Sequence, residues 1–234
     1  MERKNFLILS IIFVALLFAV SACTGVSKGD IAKKDQQISG LQSQISSLEK
    51  NKITKEEMEL KLGMRKLWED HITWTRLYIV EAVANLPGKD ATAARLLKNQ
   101  EDIGNAIKPY YGDDAGNKLT ALLKTHIAGA VDVLSAAKAG DKQKLADANK
   151  AWYDNANDIA AFLASANSKN WPLDAMKDGM KMHLDLTLGE AVAELTGDRS
   201  ASVADYDKVH SHILWLADVL ADGIVKQFPQ KFGK

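Results

Sequence analysis

The segment Leu119-Thr120-Ala121-Leu122-Leu123-Lys124-Thr125-His126-Ile127-Ala128-Gly129-Ala130 decides the fold class. Leu119, Leu122, Leu123 and Ala130 stand at −7, −4, −3 and +4 from His126, which is one stripe of an α-helix with an imidazole at its centre. His71 repeats the arrangement, with Met64, Leu67, Trp68 and Thr75 at the same offsets. Helical spacing continues from about Ile53 to the C-terminus, without the alternating Val, Ile and Thr runs of strands. Breaks are expected at Leu86-Pro87-Gly88, from Pro109 to Asp114, at Gly140-Asp141, from Ser165 to Pro172 and at Gly197-Asp198. All four prolines then fall at breaks or ends. The expected fold is all-α, a helical bundle of about six helices.

An internal repeat refines this. His71, His126 and His183 recur at nearly equal intervals along the chain. Within each interval a second polar position recurs too: Asn99-Gln100-Glu101-Asp102-Ile103 begins at +28 from His71, Asn155-Ala156-Asn157-Asp158-Ile159 at +29 from His126, and His212 stands at +29 from His183. The spacing predicts three antiparallel hairpins, each opening on a His-bearing helix. The midpoint of each pair falls at a break, and residues equidistant from an antiparallel turn share one height. His71, Asn99, His126, Asn155, His183 and His212 are therefore expected in one internal polar layer, with His210 on another face.

Buried imidazoles and amides must be satisfied, because an unpaired one costs several kcal/mol, roughly 2–7. Three readings stay open. The layer is a structural hydrogen-bond network; or it lines a pocket for a small polar or anionic organic ligand, with Arg76 and Lys181 as charge partners and Trp74, Trp152 and Trp215 as walls; or it is a transition-metal site. The metal reading uses His71, His126, His183 and His212, with Asp102, Asp158 or Glu190 completing the set. His183, Thr187 and Glu190 share a helix face at i, i+4 and i+7.

The N-terminus is of a different kind. Glu2, Arg3 and Lys4 precede an apolar run from Phe6 to Val20, followed by Val20-Ser21-Ala22-Cys23. That is the order of an export signal, and the run is short for a membrane span. The last four residues resemble the lipobox of bacterial lipoproteins. The resemblance implies removal of 1–22, lipidation of Cys23 and a mature chain anchored on the extracytoplasmic face of the cell membrane, or in the outer membrane of a two-membrane host. Residues 23–52 form a polar stalk, in which Ile38, Leu41, Ile45 and Leu48 keep a coiled-coil spacing. The stalk is expected either as a simple spacer or as a self-association element. Residues 53–234 form the bundle domain.

Composition excludes several functions. The 30 basic and 30 acidic side chains leave no net charge, so nucleic acid is not an expected partner. One Cys excludes a disulfide framework and any multi-cysteine metal site. Repeated Glu-x-x-His, H-E-x-x-H, nucleotide-binding Gly loops and the G-x-S-x-G elbow are all absent from the sequence. No reaction is named by these residues; the chemistry left open is that of a His/Glu acid–base or metal-dependent enzyme in the bundle core.

Six segments together resemble an uncharacterised family of small helical prokaryotic proteins. They are Trp68-x-x-His71-x-x-Trp74-Thr75-Arg76, Arg95-Leu96-Leu97-x-Asn99-Gln100-x-Asp102-Ile103, Tyr110-Tyr111-Gly112, Trp152-Tyr153-x-Asn155-Ala156-x-Asp158-Ile159-Ala160, His183-Leu184-x-x-Thr187-x-x-Glu190 and Gln227-Phe228-Pro229-x-Lys231-Phe232. The similarity spans about Leu67 to Phe232. It implies the helical domain and adds no mechanism. The name acetylglutamate kinase attached to some members does not carry over, since amino-acid kinases are α/β folds with Gly-rich phosphate loops.

Overall fold

The computed structural model describes residues 27–234, and the chain divides into two units, Met1–Lys52 and Ile53–Lys234. The expected signal 1–22, Cys23 and the start of the stalk lie outside the described residues. Regular structure among the described residues is entirely helical.

In the first unit, α1 (Lys28–Asn51) is a single helix of 24 residues. The Ser27 hydroxyl accepts from the Asp30 N–H at 3.2 Å, and Gly40 is carried without a break. Ile31, Leu41 and Ile45 are exposed along it, and Ile38 is half-buried.

The second unit contains α2 (Lys55–Ala84), α3 (Lys89–Tyr111), α4 (Asp113–Ala139), α5 (Lys142–Ala166), α6 (Leu173–Thr196), α7 (Arg199–Gln227) and a closing 3₁₀ turn, Pro229–Phe232. Each helix packs on its sequence neighbours, α7 returns to pack on α2, and α6 also reaches α2. The six thus close into a ring. One expected break is narrower than the sequence suggested: Pro109, Tyr110 and Tyr111 remain helical, and the chain turns only at Gly112 (φ 85°). A proline in the last turn removes one ladder hydrogen bond, and the Gly112 N–H still caps the Lys108 carbonyl at 2.9 Å.

The hairpins repeat in detail. Asn85 (φ 55°), Gly140 (φ 68°) and Gly197 (φ 78°) stand at the same offset, +14, from His71, His126 and His183, and each takes the left-handed conformation that ends a helix. The next residue in each case, Leu86, Asp141 or Asp198, donates its N–H back to Glu81, Ala136 or Ala193 at 2.9, 3.1 and 3.0 Å. Asp141 and Asp198 then cap α5 and α7 through the N–H groups of Lys144 and Ala201.

Burial follows the same register. Met64, Leu119 and Met176 occupy one level, Ile72, Ile127 and Leu184 the next, and Ile103, Ile159 and Leu216 face them from the returning helices; all nine are buried. At about 1.5–3 kcal/mol for each such side chain, these levels drive the helices together. The imidazoles sit between them.

Candidate functional site

His71, His126 and His183 come from alternate helices, α2, α4 and α6, and converge. Their ring centres are 6.5 Å apart for His71–His126, 5.6 Å for His71–His183 and 5.9 Å for His126–His183. All three are buried. His212 on α7 stacks on His183 at 6.3 Å with a 15° interplanar angle. It is half-buried.

The returning helices hold this cluster by one recurring bond. Asn99 Nδ2 donates to the Leu67 carbonyl at 3.0 Å, Asn155 Nδ2 to the Leu122 carbonyl at 3.2 Å, and His212 Nε2 to the Gly179 carbonyl at 2.9 Å. Each acceptor lies at −4 from the histidine that opens its own hairpin. Asn99, Asn155 and His212 are thus equivalent positions. Orienting the Asn155 amide in this way leaves Oδ1 to accept from His126 Nδ1–H at 3.2 Å. Gln100 reaches His71 Nδ1 at 3.3 Å while donating to Leu96 O at 2.8 Å and Asn99 Oδ1 at 3.1 Å. His183 Nδ1 is buried with no partner among the described residues.

Burial sets the charge state. It pushes His71 down to about 3, helped by His126, and His126 down to about 4, each against a raising hydrogen bond. His183 is lowered well below the ordinary value by burial and by the three neighbouring imidazoles, and burial also lowers His212. The layer is neutral at physiological pH.

The acidic residues expected to complete a metal set are elsewhere. Asp102 pairs with Lys98 and Arg95 at the surface, and Asp158 is exposed. Both stand at +3 from their asparagine, which carries them off the buried stripe that Ile103 and Ile159 continue at +4. Glu190 is buried but turned to Arg76, whose Nη1 donates to its Oε1 at 2.7 Å. Among the described residues no three His, Cys, Asp or Glu side chains converge as a metal ion requires. His71, His126, His183 and Glu190 therefore do not form a coordination set as placed.

Arg76 belongs to a separate ionic cluster. Its guanidinium also reaches Ser202 Oγ at 3.2 Å and lies 4.9 Å from the Tyr206 ring centre. Ser202 Oγ donates to Glu194 Oε1 at 2.6 Å, and Arg199 pairs with Glu194 from the other side. Burial raises the Glu190 pKa and Arg76 opposes the shift. Of the other residues singled out, Thr187 donates to the His183 carbonyl at 2.8 Å, Lys181 is exposed beside Asp185, and His210 meets Glu69 at 2.8 Å on the surface. Trp74 lies half-buried beneath Arg95, Trp215 is exposed, and Trp152 is buried against His126 with ring centres 5.3 Å apart.

Beyond the polar layer, toward the three hairpin turns, the helices bound a cavity of about 430 Å³ that is partly open to solvent, with Lys142, Ala146 and Val192 exposed at its rim. Thr75, Ala130 and Thr187, each at +4 from a layer histidine, lie on its inner end with Leu96 and Trp152. Its wall is mostly apolar, with Ala137, Ala146 and Ala191 keeping it wide, and Lys142 is its one charged residue. Gly129 makes room for Trp152, since a Cβ there would stand 2.9 Å from the indole. Asn149, Gln100, Glu194 and Ser202 were not assigned roles from sequence. Gln100 alone had a readable signal, a second amide beside Asn99 on a buried stripe.

No family model, curated protein or solved structure matches this chain.

Proposed function

We propose that this chain is an extracytoplasmic lipoprotein whose six-helix bundle binds a small, mostly apolar molecule. Lipid on Cys23 holds it to the membrane, and α1 spaces the binding domain from its anchor. The neutral His/Asn layer fixes the register of the hairpins and forms the base on which the binding space rests.

The cavity carries this reading. Its volume of about 430 Å³ lies within the usual range for small-molecule sites, roughly 300–1,000 Å³. Apolar wall left uncovered costs stability, roughly 25 cal/mol for each Å² kept in contact with water. Larger side chains at Ala130, Ala137 or Ala191 would remove that cost. Small residues at these positions fit a space kept open for a ligand.

The test uses the mature chain, residues 23–234 with Cys23→Ser, which lacks both the expected signal and its lipid, titrated with the neutral fluorescent dye N-phenyl-1-naphthylamine. Saturable binding of one dye per chain is expected, and Ala137→Phe and Ala191→Phe each abolish it while the helical circular dichroism is unchanged. Binding that survives both substitutions overturns the proposal.

A further inference from the structure

Two residues on the same face of α5 line the cavity and carry polar atoms that the protein leaves unsatisfied. Asn149 Oδ1 and Trp152 Nε1 are each shielded from solvent and have no hydrogen-bond partner among the described residues. The Trp152 side chain is 2% exposed, so water in bulk does not serve it. A buried donor or acceptor without a partner is strongly disfavoured, and such pairs are kept where something else completes them. One is an acceptor and the other a donor, at i and i+3 on one helix, which brings them to neighbouring positions.

The cavity excludes other ligand chemistry. Its inner end holds no charged side chain; Thr75 and Thr187 donate to their own helix, and the imidazoles behind them are neutral. An ionised group there would be buried without a counter-charge. Lys142 stands at −10 from Trp152, about 15 Å along the helix, and offers nothing to the inner end.

Resting on the cavity reading above, we infer that the ligand is a compact, uncharged apolar molecule bearing one group that both donates and accepts, such as a hydroxyl. That group donates to Asn149 Oδ1 and accepts from Trp152 Nε1–H. The apolar body fills the space among Ala130, Val133, Leu134 and Leu188.

The test compares naphthalene, 2-naphthol and 2-naphthoate as competitors of N-phenyl-1-naphthylamine on the Cys23→Ser chain. 2-Naphthol is expected to displace the dye at about tenfold lower concentration than naphthalene, and 2-naphthoate to be the weakest. Asn149→Leu, at a half-buried position, removes the preference for 2-naphthol and leaves naphthalene unchanged. Trp152→Phe does the same if its thermal unfolding stays cooperative, and Asn149→Leu decides the matter if it does not. Dye binding without discrimination between naphthalene and 2-naphthol overturns the polar-end inference alone. Absence of dye binding overturns the cavity reading beneath it.

Discussion

His71 and His183 stand with ring centres 5.6 Å apart although they belong to the first and third hairpins, and neither imidazole is charged at neutral pH. The unfolded chain binds protons at its histidines near pH 6.5; the folded chain refuses them until far lower. Stability contributed by these groups is therefore complete above about pH 6.5 and is lost as pH falls toward the folded values. At pH 5, 1.5 units below the ordinary value, His71 and His126 each remove about 2 kcal/mol, and His183 acts in the same direction. Urea unfolding midpoints at pH 7 and pH 5 measure this, and equal midpoints would contradict the buried neutral layer.

Asn99 and Asn155 perform one task in two hairpins, each donating to the carbonyl at −4 from a layer histidine. Asn99→Ala and Asn155→Ala are expected to cost similar amounts, about 1–3 kcal/mol each, by leaving buried polar groups unpaired. Denaturant titration of both variants checks it. The counter-result is a surface-like loss below about 0.5 kcal/mol for either.

Arg76 neutralises a carboxylate that is almost wholly enclosed, since the Glu190 side chain is 2% exposed. Arg76→Met leaves that charge alone and is expected to cost about 3–5 kcal/mol, much of it recovered by adding Glu190→Gln. A double-mutant cycle reads the coupling directly. Additive losses would show that the two residues act separately.

α1 exposes Ile31, Leu41 and Ile45, and among the described residues of its unit no other helix stands beside it. Isoleucine at 31, 38 and 45 with leucine at 41 and 48 is the a/d preference of a parallel pair of helices. Sedimentation equilibrium of the Cys23→Ser chain is expected to give a dimer that becomes a monomer when residues 24–51 are deleted. A monomer in both cases leaves the stalk as a spacer.

Much of the site was legible because helical hairpins with short turns convert sequence offset into height. The near-equal offsets from each histidine to Asn99, Asn155 and His212 brought each beside its own hairpin partner. The acidic residues expected beside the layer lie elsewhere for a rotational reason. At +3 from a buried asparagine, Asp102 and Asp158 lie far enough round the helix to reach solvent, and Glu190 found Arg76 across a helix boundary that periodicity does not describe.

By itself, the sequence determined the helical class, the three hairpins and the level of the polar layer, because periodicity and turn position are local properties of the chain. Only the tertiary structure decided that α7 closes the ring on α2, that His71, His126 and His183 meet while Glu190 turns away to Arg76, and that a cavity remains beyond them. Closure, convergence and empty volume depend on how far apart helices stand. That distance is set jointly by side chains from several helices, such as Trp152 on α5 seated against Gly129 on α4, and no single segment of sequence contains it.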